Sequence, residues 1–201
     1  QLVQKENNRY ALSKEQIRMI TTASALHDIG KISIPDEILN KPGRLTAEEF
    51  AVIKGHSMAG ANMLSELPLD QKEEPLVKTA YEICRWHHER YDGGGYPDGL
   101  KGEEIPVSAQ VVALADVYDA LTSERCYKDA YSHEKAIEMI LAGQCGAFNP
   151  LMLECLLDIS SSLKKKMGYK SKERYEQTDL SDIASRFHDF EMDSSEKIVQ
   201  Q

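Results

Sequence analysis

Apolar positions along this chain recur at helical spacing, and no stretch alternates apolar and polar residues for long enough to form a sheet. Ser13 with Gln16 reads as a capping box, and its helix is expected to run to about Asp28, with Gly30 placed to cap the end. Ile17, Ile20 and Ser24 lead down one face of it to His27 and Asp28. Thr46 with Glu49 opens a second helix through about Leu64, with Ile53, His56, Gly60, Met63 and Leu64 on one stripe. A third is expected from about Glu74 to Arg90, where Val77, Ala80, Tyr81, Cys84, His87 and His88 follow the i, i+3, i+4, i+7 pattern. The fourth, from about Ser108 to Ser123, carries Val112, Ala115, Asp116 and Asp119 on one face. Ser132 and the Asn149-Pro150 pair start two more, the latter by an N-cap with proline at the first helical position. The pattern predicts an all-α domain, a compact bundle of about six helices over residues 1–160.

Two stretches break the pattern. Residues 92–106, DGGGYPDGLKGEEIP, hold five glycines and two prolines and cannot be helical. A loop this long inside a compact domain is usually functional or disordered. From Ser160 onward the chain turns polar, and the Lys164-Lys165-Lys166 run reads as a solvated segment. Residues 161–201 are therefore expected to be an extension, its end from about Asp179 to Gln201 a helix leading into a further domain.

With 201 residues, 41% hydrophobic and 28% charged, the chain is long enough for one domain with a sizeable core. No apolar stretch is long enough to cross a bilayer, and no basic-then-apolar leader opens the sequence. Gln1 is not a natural start, so more chain is expected ahead of it. Cys84, Cys126, Cys145 and Cys155 lack CxxC spacing and sit in apolar patterns, which fits a reduced, cytoplasmic setting better than a disulfide framework. The net charge of −9 leaves no footprint for a nucleic-acid polymer. It does not exclude a small anionic ligand, because a metal cluster can reverse the local field.

The candidate chemistry lies on four inward faces: His27 with Asp28, then His56, then His87 with His88, then Asp116. A single buried histidine is more often a hydrogen-bonded core residue than a ligand. Six such groups together are different, since each desolvated polar group costs a few kcal/mol without a partner. A shared metal cluster supplies that partner. Four imidazoles and two carboxylates exceed what one tetrahedral zinc uses, and no cysteine joins them. Mixed nitrogen and oxygen donors in this number suit two octahedral ions such as iron or manganese, bridged by an aspartate. Two such ions promote in-line displacement at a phosphate.

His27-Asp28, within HDIGK, resembles the signature of the HD superfamily of metal-dependent phosphohydrolases. The ordered series His27-Asp28, His56, His87-His88, Asp116 resembles its HD-GYP subfamily over nearly all of residues 14–160. HHERYDGGGYPDG, residues 87–99, is similar to the long motif that contains Gly95-Tyr96-Pro97, and ADVYDALTSERCYK, residues 115–128, is also similar to the family. The resemblance implies an all-α fold, two or three divalent ions (iron or manganese) and cleavage of cyclic di-GMP to pGpG or GMP. By the same resemblance Asp28 bridges the ions, with His27 and Asp116 on one and His56, His87 and His88 on the other. Lys31 would stand beside the cluster to hold a phosphate oxygen, and Arg125 and Lys128 would meet the substrate's phosphates. Both of these also follow a helix C-terminus, where cations are favoured anyway. Gly95, Tyr96 and Pro97 would shape the pocket rim or dock a partner domain, although the glycines read first as turn chemistry. Glu89 and Asp119 read as supports for ligands or for structure.

Members of the subfamily usually carry one more histidine, and in trinuclear cases a glutamate, on a helix before the HD pair. Residues 1–26 hold no histidine, and QLVQKENNRYAL reads as the tail of that helix; Glu6 and Glu15 are poor substitutes. The analogy adds a sensory or receiver domain as regulator and leaves room for a homodimer. Two other readings stay open: a receptor that binds a cyclic dinucleotide without cleaving it, and a single-metal nucleotidase. The second histidine pair and the GYP loop argue against the nucleotidase, since one metal does not need them.

Overall fold

The computed structural model describes residues 10–124 and 129–166. Among the described residues every regular element is helical. The long helices are α1 (Lys14–Ala23), α3 (Ala47–Ser65), α5 (Pro75–Trp86), α6 (Val107–Thr122), α7 (His133–Leu141) and α8 (Pro150–Lys166), with single-turn helices α2 (Asp36–Leu39) and α4 (Leu69–Lys72) between them. Three 3₁₀ turns, Ser24–Leu26, Ile29–Ser33 and Gly102–Glu104, complete the chain path. The expected all-α bundle and its six principal helices are present. Both expected capping boxes form: Ser13 Oγ accepts from Gln16 N at 3.1 Å, and Thr46 Oγ1 accepts from Glu49 N at 3.2 Å.

Two apolar clusters make the core. One joins α1, α3 and α5 through Ile20, Ala23, Ala61, Leu64, Ala80, Ile83 and Cys84. The other joins α6, α7 and α8 through Leu114, Tyr118, Leu121, Ile137, Ile140, Met152 and Leu153. Helix α6 belongs to both, because Val112 packs into the first. Its buried stripe therefore differs from the one read from the sequence: Ala115 and Asp119 face solvent, and Asp119 accepts a hydrogen bond from Ser123 Oγ at 3.1 Å.

Three boundaries move, each for a local reason. Helix α1 stops at Ala23 rather than Asp28, and the chain tightens into 3₁₀ geometry, with His27 N bonded to Ser24 O at 3.2 Å. Asp28 lies between the two 3₁₀ turns with non-helical backbone, φ −101° and ψ 8°, and its Oδ2 comes within 3.4 Å of His27 Nε2. Helix α5 stops at Trp86, with His87 as its C-cap, so His87 and His88 lie at and just past a helix end. Helix α8 continues to Lys166, six residues beyond the expected limit of the domain at residue 160. Ser160 is buried against His133, whose Nε2 lies 2.7 Å from Ser160 Oγ, and Lys164 pairs with Glu134. The last part of α8 thus packs against α7. The extension from residue 167 to 201 lies outside the described residues.

Gly30 is no helix cap. A Cβ there would sit 1.9 Å from His56 O and 2.5 Å from Gly60 N. The 3₁₀ turn Ile29–Ser33 therefore lies directly on the backbone of α3, and no side chain fits between them. This contact sets the separation of Asp28 from His56. Gly30→Ala should cost at least the ~1–3 kcal/mol typical of overpacking, read as a lowered urea midpoint. An unchanged midpoint would show that the turn can lift off α3 freely.

Candidate metal centre

Each candidate ligand stands at an element end or on an inward face. His27 and Asp28 occupy the junction of two 3₁₀ turns, His56 is buried on α3, His87 and His88 follow α5, and Asp116 lies on α6. The fold brings all six together. Asp28 is central: Oδ1 lies 3.3 Å from His56 Nε2 and 4.0 Å from His87 Nε2, and Oδ2 lies 3.4 Å from His27 Nε2. Asp116 Oδ1 lies 3.7 Å from His27 Nε2. Lys31 Nζ donates to Asp28 Oδ2 at 2.5 Å.

The hydrogen bonds fix which imidazole nitrogen faces the centre. His27 Nδ1 is 2.8 Å from Ser24 O, His56 Nδ1 is 2.7 Å from Ile53 O, and His87 Nδ1 is 2.8 Å from Ile83 O. A carbonyl oxygen only accepts, so each Nδ1 carries the proton and each neutral ring turns a bare Nε2 inward. His56 Nε2 and His87 Nε2 then face each other at 3.4 Å with no proton between them, and His88 Nε2 stands 3.2 Å from His56 Nε2. Lone pairs opposed in a buried space need a cation. Donors bound at about 2.1 Å in tetrahedral or octahedral geometry sit roughly 3.0–3.4 Å apart, which matches these separations. His56, His87 and His88 form a group able to hold an ion. Backbone acceptors behind the rings, as here, are what orients histidines in metal sites generally.

Electrostatics keep His87 and His88 neutral and Asp28 and Asp116 ionised, the forms a cation needs. Burial pushes the pKa of His87 down to about 4 and that of His88 to about 3, with neighbouring imidazoles adding to the shift. Burial works to raise the Asp28 carboxyl, but the His56 imidazole and the Lys31 ammonium beside it outweigh burial and hold the group far below the usual carboxylate range. Burial likewise opposes ionisation of Asp116, and His27 overcomes it and lowers its pKa. The Asp116 carboxylate in turn raises the pKa of His27.

The glycine-rich loop is fastened to this centre by Glu89, whose role the sequence left open between supporting a ligand and supporting structure. Glu89 is 5% exposed, and its carboxylate accepts from the backbone amides of Asp98 at 2.7 Å, Gly99 at 3.0 Å and Leu100 at 3.1 Å. Asp98 is held from α5 by Arg85 Nε and Trp86 Nε1, each at 2.7 Å. A Cβ on Gly95 would fall 2.3 Å from Arg90 N, so this glycine serves a close backbone approach beyond its turn role. The loop thereby lays the Tyr96 ring on His88, centroids 4.8 Å apart and tilted by 30°, while Tyr96 N donates to His88 O at 3.2 Å. Arg125 and Lys128 lie outside the described residues.

Residues 1–148 match the HD domain family. The chain belongs to the HD domain family. A probable cyclic di-GMP phosphodiesterase of Vibrio cholerae is 45% identical to this HD domain over 155 residues, covering 74% of the chain and 34% of that protein. The cyclic di-GMP phosphodiesterase response regulator RpfG of Xanthomonas campestris is 43% identical over 157 residues, covering 78% and 40%. A 3'3'-cGAMP-specific phosphodiesterase of Vibrio cholerae is 42% identical over 149 residues, covering 74% and 28%. The chain thus spans well under half the length of these relatives. The matches bear out the resemblance to the HD-GYP phosphodiesterases drawn from the motifs, and membership of this family implies binding of divalent metal. No described helix is long and apolar enough to cross a membrane.

Two outcomes follow from this geometry. Glu89→Gln replaces a charged acceptor of three amides by one carbonyl and a donor, and should cost about 2 kcal/mol or more in thermal or urea unfolding. Unchanged stability would mean that the loop does not depend on this carboxylate. In chelator-stripped protein, His87 and His88 titrate in the folded state at about 4 and about 3, against roughly 6.5 when unfolded. The unfolded state takes up protons first as pH falls. Their contribution is therefore complete above about pH 6.5 and lost progressively between there and about pH 3. Urea midpoints at pH 7 and pH 4.5 should differ accordingly, and equal midpoints would contradict the buried neutral pair.

Proposed function

We propose that this HD domain is the catalytic part of a metal-dependent phosphodiesterase that hydrolyses a cyclic dinucleotide, cyclic di-GMP in the first place, to pGpG or GMP. The observation that carries the reading is the convergence of the bare Nε2 atoms of His27, His56 and His87 on the Asp28 carboxylate. The activities for which relatives at 42–45% identity are named point to the same substrate class.

In this reading two or three ions, iron or manganese by the mixed nitrogen and oxygen donors, would be held by His27, Asp28, His56, His87, His88 and Asp116. When bound, such ions act as Lewis acids on phosphate oxygens. Asp28 and Asp116 bring the negative charge that binds them, and the neutral imidazoles add donors without adding charge. Lys31, beside Asp28, is the cation for a non-bridging phosphate oxygen, and Arg125 and Lys128 add to it from the segment after α6. Water adds at phosphorus, the ester bond to the 3′ oxygen breaks, and that oxygen leaves with a proton. Tyr96 and Pro97 form the wall of the site next to His88. A sensory or receiver domain elsewhere in the protein regulates the reaction in the cytoplasm; the response-regulator name of one relative supports the receiver alternative.

Protein purified without oxygen should contain two or more iron or manganese ions per chain and should cleave cyclic di-GMP. Asp28→Ala should lower both metal content and turnover, the latter beyond the ~10–100-fold typical of a residue that only supports a ligand. Metal-loaded protein that binds the nucleotide without cleaving it would make the domain a receptor. Protein that holds no metal would overturn the ligand assignment.

A further inference from the structure

Outward from the centre, past Tyr96, the described residues place a second chemical feature. The Lys54 ammonium, on α3 two residues before His56, lies 5.4 Å from the Tyr96 ring centroid and 5.1 Å from that of Phe50. Tyr96 stacks on His88, so a continuous row runs from a cluster imidazole through Tyr96 and Lys54 to Phe50. Among the described residues no carboxylate pairs with the Lys54 ammonium, which leaves its three donors for something else. Phe50 is 48% exposed and closes the first turn of α3.

A cation held between aromatic rings beside an exposed aromatic surface is poorly suited to a phosphate alone, which prefers several hydrated or convergent donors. It is well suited to a nucleobase. Base–aromatic stacking is worth about 1–3 kcal/mol per base, and a lysine ammonium meets the O6 and N7 acceptors of guanine. Adenine presents an amino donor in place of O6 and would oppose the same cation. We propose that Phe50 and Lys54 form a guanine subsite that selects which cyclic dinucleotide is cleaved, with the base stacked on Phe50 and its O6/N7 edge on Lys54. This rests on the phosphodiesterase reading above.

The test compares cyclic di-GMP, mixed cyclic GMP-AMP, cyclic di-AMP and bis(p-nitrophenyl) phosphate, a diester without a base, on metal-loaded protein. Lys54→Met should lower kcat/KM for cyclic di-GMP about tenfold or more, chiefly through KM, with a smaller loss for cyclic di-AMP and none for the simple diester. Binding of a phosphorothioate analogue of cyclic di-GMP should weaken by a similar factor. Phe50→Ala should move the same quantities in the same direction, and Lys54→Arg should restore most of the loss. Equal losses on cyclic di-GMP and on the simple diester would make Lys54 a support for Tyr96 and His88 and overturn the subsite. Cyclic di-GMP cleavage unchanged in Lys54→Met overturns the subsite alone. Wild-type protein that cleaves no cyclic dinucleotide overturns the phosphodiesterase reading and the subsite with it.

Discussion

The structure turns on one electrostatic constraint: imidazoles that give their Nδ1 protons to backbone carbonyls must turn bare Nε2 atoms toward one another. His27, His56 and His87 all do this, from three separate parts of the chain. Without a shared positive charge, opposed lone pairs in a desolvated space are unfavourable. The backbone acceptors orient the rings alike whether the histidine sits where a helix tightens or ends, as His27 and His87 do, or inside one, as His56 does. The carbonyls of Ser24 and Ile53 lie three residues before the rings they accept from, and that of Ile83 lies four before.

That centre needs close backbone packing to exist. Gly30 lets the turn carrying Asp28 rest on the backbone of α3, and Gly60 faces it from the other side. The same turn thus brings Asp28 within reach of a buried His56. On the opposite flank, Glu89 gathers three loop amides and so sets Tyr96 against His88. Both flanks use the same device: a residue next to a ligand in sequence holds the neighbouring segment in space. Ligand geometry and local folding are therefore not separable here.

The paired ends of the bundle divide the tasks. The α1–α3–α5 cluster surrounds the centre, whereas the α6–α7–α8 cluster braces α6 from behind and so positions Asp116. The polar bridge from Tyr118 through His133 to Ser160 belongs to this bracing, with contacts of 2.8 Å and 2.7 Å. It shows that a buried histidine in this chain has two quite different uses. His133 has a hydroxyl at each nitrogen, while the cluster histidines each have one nitrogen left for the centre.

Much of this was legible in the sequence. The helical periodicity, the two capping boxes and the order His27-Asp28, His56, His87-His88, Asp116 are local or nearly local properties, set by side-chain spacing and cap chemistry. The tertiary structure decided what depends on distant backbone. Gly30 read as a cap and proved to be a contact with α3, because a glycine's lack of Cβ serves both purposes and only the neighbour tells which. Helix ends at Ala23 and Trp86 fell short of the periodic pattern, because 3₁₀ tightening follows the first and a turn from Glu89 N to Trp86 O follows the second. Lys54 carried no sequence signal at all, since a lysine on an amphipathic helix reads as solvated. Its setting between Phe50 and Tyr96 arises only when a loop more than forty residues away folds back onto α3. The sequence by itself determined which groups are available and on which faces they begin; only packing decided which of them meet, because meeting depends on backbone approach that no local pattern encodes.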